Sequence, residues 1–228
     1  MIIAISGFAG SGKDTVGEMI KSMTSEYNWQ IKRWADKLKQ TASLLTGIDV
    51  SKFEDQEFKR TYLGEEWSTP SHYDEFGMPI VGHRMTVRDM LQKLGTEAMR
   101  NGLHPNVWVN ALMSDYVGVK PNLNVCGYFF SSFDQYPTVY PNWIITDTRF
   151  MNEVNAVKTK GGIVVRVNRP GVGPLNDHPS ETELMNYDGF DHVIENNNDL
   201  FNLKLRVKDM LVETSSAQSY KFDMFESI

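Results

Sequence analysis

The stretch "MIIAISGFAGSGKDT" at the start of the chain leaves few folds open. Residues 2–6 are a short β-branched apolar run bounded by glycine, which reads as a buried strand. Gly7, four residues, Gly12 and Lys13 then give the frame of a phosphate-binding loop, with Gly10 and Ser11 inside it and a helix expected from 13 to about 24. In such a loop the backbone N–H groups and the helix N-terminus cradle phosphate oxygens, and the lysine reaches the outer phosphates. The plain alternative is a glycine-rich turn with no ligand. A strand before the loop, Gly12-Lys13 inside it and a helix after it weigh against that. The glycine order differs from the dinucleotide fingerprint G-x-G-x-x-G.

One position breaks the pattern. The hydroxyl that usually follows the lysine is replaced by Asp14, and Thr15 comes one residue later. A carboxylate at a helix N-terminus is favoured by about 0.3–1 kcal/mol. Beside phosphate oxygens it is repelled, by about 3 kcal/mol for unit charges 5 Å apart at an effective dielectric near 20. Repulsion wins unless a cation intervenes, so Asp14 is expected to face Mg²⁺, its waters or an arginine. The competing reading is a capping carboxylate turned to solvent. Lys13 is expected to be solvated.

A second carboxylate stands in "WIITDTR", where residues 143–147 read as another buried strand. Asp147 at its end is placed to hold Mg²⁺ waters, or else to cap the next helix. Arg149 could reach a transferring phosphoryl group. Glu153, in the first turn of a helix over 149–162, is either functional or a favourable dipole partner.

The remaining chain alternates strand and helix. Residues 30–35 read as strand and 36–47 as a helix stopped by Gly47. Residues 48–85 form an irregular polar and aromatic excursion. A helix over 86–100 has a capping-box pattern at Thr86 and Asp89 and an apolar stripe of Val87, Met90, Leu91, Leu94 and Ala98. Arg88, Gln92 and Gly95 share another of its faces, suited to a phosphate and a base edge or simply to solvent. Gly95 costs about 1 kcal/mol in mid-helix, which a ligand close to the backbone would explain. A further helix is expected over 106–117, a surface loop or hairpin over 118–142, a strand over 163–167, a Pro- and Gly-rich segment over 168–190, a strand over 192–196 and a helix over 199–211. Within 168–190, Arg169, His178 and Glu181 belong to a mobile lid or an ordinary loop. This order implies an α/β fold, a parallel sheet with ligands at the carboxyl ends of its strands.

Composition limits the partners. With a net charge of −6 and scattered basic residues, the 228-residue chain lacks the basic face of a nucleic-acid binder. Its single cysteine fits a reducing cytoplasm. No apolar run approaches membrane-spanning length, so a soluble protein without a membrane partner is expected.

Several segments together resemble one family. "GSGKDT", "VRDMLQKLGTEAMR" followed by "VWV", "DTRFMNE", "VVRVNRPG", "HPSE" and "VIENNNDL" are similar, in order, to the phage-type deoxynucleoside monophosphate kinases, P-loop relatives of adenylate kinase. The resemblance implies a P-loop kinase fold with about five parallel strands and helices on both faces. It implies ATP- and Mg²⁺-dependent phosphorylation of a deoxynucleoside 5′-monophosphate to its diphosphate, in nucleotide biosynthesis in a host cytoplasm. Aspartate after the loop lysine is a trait of that family. By position, Gly7, Gly10, Ser11, Gly12, Lys13, Asp14 and Thr15 fall on the ATP side, with Asp14, Thr15 and Asp147 toward Mg²⁺ through water. Arg88, Gln92, Gly95, Thr96 and Trp108 fall on the acceptor side, within a region spanning 48–101. Asp147, Arg149 and Glu153 lie between. By the same resemblance Arg169 would be a lid arginine over ATP, and Asn196 or its neighbours would lie near the adenine, although "NNND" departs from the family's commoner Asn-Asp-Gly turn. The domain expected from this covers 1–213, with 118–142 an insertion, 168–190 lid-like and 214–228 a tail; a homodimer stays open. Dephospho-coenzyme A kinase and phosphomevalonate kinase share the loop and are the alternatives within the class, and a nucleotide-driven ATPase or switch is the alternative outside it.

Overall fold

Strand β1 (Ile2–Ser6) is wholly buried, as its apolar composition requires, and has a parallel neighbour on each side. The computed structural model describes residues 1–120 and 138–223. They divide into two compact units, Met1–Arg33 with Met113–Ile228, and Trp34–Leu112.

The first unit holds a five-stranded sheet. Its strands are β1, β2 (Gln30–Lys32), β5 (Trp143–Thr148), β6 (Ile163–Asn168) and β7 (His192–Glu195), in the order β2-β5-β1-β6-β7. All four pairings are parallel. Parallel strands buried on both faces read as continuous apolar runs, which is why 2–6, 143–147 and 163–167 were legible without alternation. The strand expected over 30–35 ends at Lys32.

Helices α1 (Lys13–Met23) and α7 (Leu200–Asp223) pack on one face of this sheet. Val16, Ile20, Leu203, Val207 and Met210 join Ile3, Ile5, Val165 and Val167 in one core. Helix α5 (Met151–Thr159) packs against β1 and β6. Its Val154 and Val157 are fully buried, with Ile2 and Ala4, which alternate with Ile3 and Ile5, on the face away from α1. The glycine stop is present: Gly161 has φ 69° and Gly162 turns the chain into β6.

The second unit contains α2 (Asp36–Thr46), α3 (Val87–Gln92), most of α4 (Val107–Met113) and a hairpin, β3 (Thr69–Tyr73) with β4 (Pro79–His83). Gly47 stops α2 in the left-handed region, φ 71°. The capping box forms as expected: Thr86 Oγ1 accepts from Asp89 N at 3.1 Å, and Asp89 Oδ2 accepts from Thr86 N at 3.0 Å. Val87 and Met90 are buried, and Leu91 and Leu94 pack on the same cluster with Ala42 and Phe53.

Four expectations are corrected. The helix over 86–100 is α-helical only to Gln92 and continues as a π-helix over Lys93–Asn101. The wider i→i+5 winding rotates later residues off the 3.6-residue stripe, so Ala98 is exposed and Gly95 is buried. The excursion over 48–85 contains three 3₁₀ turns and the hairpin. Its turn is closed by Asp74, whose Oδ1 accepts from Phe76 N at 2.9 Å and Met78 N at 2.7 Å. The helix expected over 106–117 is shorter. Finally, α7 runs to Asp223, past the expected end at 211, so most of the expected tail is helix. Of the segment 118–142, residues 121–137 lie outside the described residues; Val119 and Val139 exchange both backbone hydrogen bonds at 2.9 Å.

Candidate phosphate-transfer site

The loop after β1 is built by close approach. A Cβ on Gly7 would lie 2.8 Å from the Val167 carbonyl, and Gly10 and Gly12 hold φ of 83° and 96°, which L side chains resist. A Cβ on Gly12 would stand 2.6 Å from Asn196 Nδ2. That amide donates to the Ser11 carbonyl at 2.9 Å, and Arg169 Nη1 donates to the Gly10 carbonyl at 3.2 Å. Both side chains, expected around ATP, are thus fastened to the loop itself, and Asn196 reaches it because its backbone N–H is held by Asn168 O at 2.7 Å. Ser11 Oγ is buried with no partner among the described residues.

Lys13 is not solvated: only 9% of it is exposed. Burial is the main cause holding its pKa below the usual lysine value, and the Arg149 guanidinium adds to this. Asp14, Asp147 and Glu181 act in the opposite direction. Those four charges share the lysine's surroundings, so the loop, the end of β5 and the segment near 181 form one electrostatic site.

Asp14 resolves as neither a bare cap nor a free carboxylate. Its Oδ1 accepts a hydrogen bond from Thr146 Oγ1 at 2.9 Å and lies 3.6 Å from Arg33 Nη2, while Lys13 Nζ stands 3.8 Å from Oδ2. An arginine was one of the three cation sources expected for it. The carboxylate keeps 59% exposure, so acceptor capacity remains toward solvent. Thr15 beside it is exposed.

Asp147 stands where β5 departs from regular pairing. Ala4 pairs with Ile145 but Ser6 with Thr148, so β5 carries one extra residue across Thr146 and Asp147. Such a bulge re-aims a side chain at the end of a strand. Glu153, 1% exposed, accepts from Arg149 N at 2.8 Å and Phe150 N at 3.1 Å through Oε2. These bonds satisfy donors at the start of α5, the dipole-partner reading, and also fix the backbone that carries Arg149. The Arg149 side chain donates from Nη1 to the Ser180 carbonyl at 3.1 Å and pairs with Glu181 Oε1.

Arg149 and Glu181 border a small cleft with Ser6, Gly7, Thr148 and Arg166, partly open to solvent, whose cavity volume is only about 10 Å³. Arg166 is 9% exposed, donates to Ser6 Oγ and Asn168 Oδ1, both at 3.2 Å, and lies over the Phe8 ring at 4.7 Å. Burial lowers its pKa, but a guanidinium stays charged at neutral pH.

In the second unit, Trp108 is 4% exposed and donates through Nε1 to the Gly95 carbonyl at 2.8 Å. The space a Gly95 Cβ would need is taken by Leu38, with Cδ2 at 2.9 Å. Arg88 Nη2 donates to Gln56 Oε1 at 3.0 Å, and Gln92 and Thr96 are half-buried.

Reading the sequence missed Thr146, Arg33, Arg166 and the Arg149 contact of Glu181. Thr146 was visible as a hydroxyl one residue before Asp147, but only a fold that lays β5 beside β1 brings it to Asp14. Arg33 and Arg166 lie in the carboxyl-terminal halves of the strands expected over 30–35 and 163–167, near the strand ends where ligands sit in a parallel sheet, which is a usable signal.

Hard oxygen donors at Asp14, Thr15 and Asp147 suit Mg²⁺, which keeps several waters. No three Asp, Glu, His or Cys side chains converge as a metal cluster among the described residues. No helix among the described residues is long and apolar enough to cross a membrane.

A family model described as deoxynucleotide monophosphate kinase matches residues 72–207, more than half of the chain. A mimivirus protein (Acanthamoeba polyphaga mimivirus), named provisionally as a deoxynucleotide monophosphate kinase, is 28% identical over 206 residues, 86% of this chain and 89% of its own. The deoxynucleotide monophosphate kinase of Enterobacteria phage T4 is 30% identical over 126 residues, 55% of this chain and 45% of the phage protein. That of Escherichia phage RB69 is 23% identical over 258 residues, covering 92% of this chain and 99% of the relative.

Proposed function

Because the chain belongs to the deoxynucleotide monophosphate kinase family, a family of phosphotransferases, we propose that it moves the γ-phosphoryl group of ATP to a deoxynucleoside 5′-monophosphate, with Mg²⁺. The observation that carries this reading is Lys13: a nearly buried ammonium at the start of α1, behind two left-handed glycines, with Arg149 and three carboxylates acting on its charge.

When bound, ATP supplies the transferable group and Mg²⁺ offsets charge on its oxygens. The loop N–H groups and Lys13 hold the outer phosphates. Burial favours this role, because a desolvated ammonium gains more from a phosphate than a hydrated one. Asp14, Thr15 and Asp147 hold the waters of the metal, with Thr146 fixing the Asp14 carboxylate. Arg149 stabilises charge on the phosphoryl group during transfer, and Glu153 holds the backbone that presents it. Arg169 and Asn196 brace the loop through its Gly10 and Ser11 carbonyls, so both shape the phosphate cradle. Arg88, Gln92, Gly95, Thr96 and Trp108 belong to the acceptor side, with Arg88 and Gln92 touching the monophosphate and Trp108 and Gly95 supporting the helix that carries them. The segment 168–190 is lid-like, and transfer takes place in the cytoplasm of a host cell.

A coupled assay of ATP consumption against each common deoxynucleoside monophosphate, with and without Mg²⁺, tests the reading. Turnover is expected only with an acceptor and metal together. Equal ATP consumption without any acceptor would favour the ATPase reading, and turnover only with dephospho-coenzyme A or phosphomevalonate would favour a related small-molecule kinase.

A further inference from the structure

Glu181 stands out among the charged groups to which the proposed transfer gives no task. Its side chain is 7% exposed, and it pairs with Arg149 through Oε1 while Oε2 is buried without a partner among the described residues. A buried carboxylate is expensive unless paired and hydrogen-bonded, so a carboxylate half-satisfied at the edge of a cleft calls for a reason.

The surrounding chain is built to hold it there. His178 starts the short helix α6 (Pro179–Thr182), with Nδ1 accepting from Ser180 N at 3.2 Å. The carbonyl of Ser180 and the carboxylate of Glu181 then receive the same nitrogen, Nη1 of Arg149. Two residues on, Glu183 Oε1 accepts from Met151 N at 2.7 Å. Residues 180–183 are therefore clamped onto residues 149–151 by three contacts. Among the described residues, both side-chain hydrogen bonds of Arg149 leave from Nη1, which keeps its Nε and Nη2 donors for another acceptor.

We propose that Glu181 is a positioning residue for Arg149: it anchors one nitrogen of the guanidinium at the cleft so that the remaining donors meet a phosphoryl group in one fixed orientation. A guanidinium offers five donors in a rigid plane, so fixing one nitrogen fixes the direction of the others. Without the anchor, a long flexible side chain must be ordered during transfer, and a small misplacement of a transition-state group is costly. Arg149 sits beside Lys13, itself positively charged, and the negative Glu181 also offsets that repulsion. The proposal rests on the reading that Arg149 acts on the transferring group.

The test is a double-mutant cycle on kcat with Arg149→Ala, Glu181→Ala and the two combined, with thermal unfolding of each variant alongside. Glu181→Ala is expected to lower kcat on the order of 10–100-fold with little change in either KM. The double variant is expected to be no slower than Arg149→Ala, because Glu181 has nothing left to position. Effects that multiply in the double variant, or a Glu181→Ala enzyme as fast as wild type beside a slow Arg149→Ala, would overturn the role of Glu181 and leave that of Arg149 standing. An unimpaired Arg149→Ala would instead overturn the reading of Arg149 itself. Should Glu181→Ala fail to fold, the isosteric Glu181→Gln carries the same cycle, since it removes the charge and keeps the volume.

Discussion

The carboxyl end of the parallel sheet and the helix running from Val87 to Asn101 spend their polar groups differently. At the sheet's end, charged side chains serve one another: Thr146 and Arg33 meet Asp14, Glu181 meets Arg149, Glu153 meets the backbone before α5. Several are nearly buried. On the helix, the polar contacts include the local Thr86–Asp89 cap, Arg88 to the neutral Gln56, and Trp108 to the buried Gly95 carbonyl, while Val87 and Met90 pack with Ala42 and Phe53. The first region is preorganised charge, whose worth should appear in rates. The second, apart from Arg88 and Gln92, is a scaffold, whose worth should appear in stability. Substitutions that cross this line would break the comparison.

The largest effect is expected at Lys13. Lys13→Met keeps the buried stem and removes the charge, and transfer should fall about 10³-fold or more, judged from the loss of a single preorganised charge donor. Stability should not fall with it. Burial lowers the lysine pKa in the folded chain, so folding carries a cost as long as the ammonium must stay charged inside. As pH rises from that lowered value toward 10.5, the unfolded chain binds more protons than the folded one, and wild type should gain stability relative to Lys13→Met. Urea midpoints over this window measure the difference. A variant much less stable than wild type at neutral pH would make Lys13 a structural residue.

Next comes Arg149→Ala, with kcat expected to drop about 10²–10³-fold and the monophosphate KM to move little. A raised KM at constant kcat would shift Arg149 to ground-state binding.

The sheet was legible because its strands are buried on both faces and therefore announce themselves as unbroken apolar runs. The hairpin was hidden by Pro70 and Pro79, which argue against strand wherever the edge is not known. Asp74 and Gly77, φ 77°, carried the turn signal. The π-helix was not legible: it differs from an α-helix by one residue per hydrogen-bonded ring, and the apolar stripe through Leu94 fits both. At the site, residues adjacent in sequence to a motif were found, whereas partners brought by strand order, Thr146 to Asp14 and Glu181 to Arg149, depend on distances of 132 and 32 residues along the chain.

Trp108→Phe sharpens the other half of the comparison. It removes the indole N–H and leaves a buried carbonyl at Gly95 short of a donor, which should cost about 1–2 kcal/mol of stability. The unfolding midpoint in urea should fall while ATP affinity holds. Unchanged stability together with weakened monophosphate binding would move Trp108 from scaffold to ligand contact.

The smallest effect, and the one that decides most about the loop, is expected at Asp14. Asparagine keeps an oxygen to accept from Thr146, so Asp14→Asn should fold as well as wild type. What it removes is one negative charge, 3.6 Å from Arg33 and 3.8 Å from Lys13. Two consequences of opposite sign follow. The metal's waters lose an attracting group, so the Mg²⁺ needed for half-maximal activity should rise several-fold, about 1 kcal/mol for exposed charges at this separation. ATP without metal loses a repelling neighbour and gains an Arg33 no longer offset by Asp14, so it should bind at least as tightly. Titrating Mg²⁺ against activity, and metal-free ATP against each protein, reads the two separately. Superimposable curves in both would mean that Asp14 works only as an acceptor for Thr146, and the preorganised charge of this region would then stop at Lys13 and Arg149.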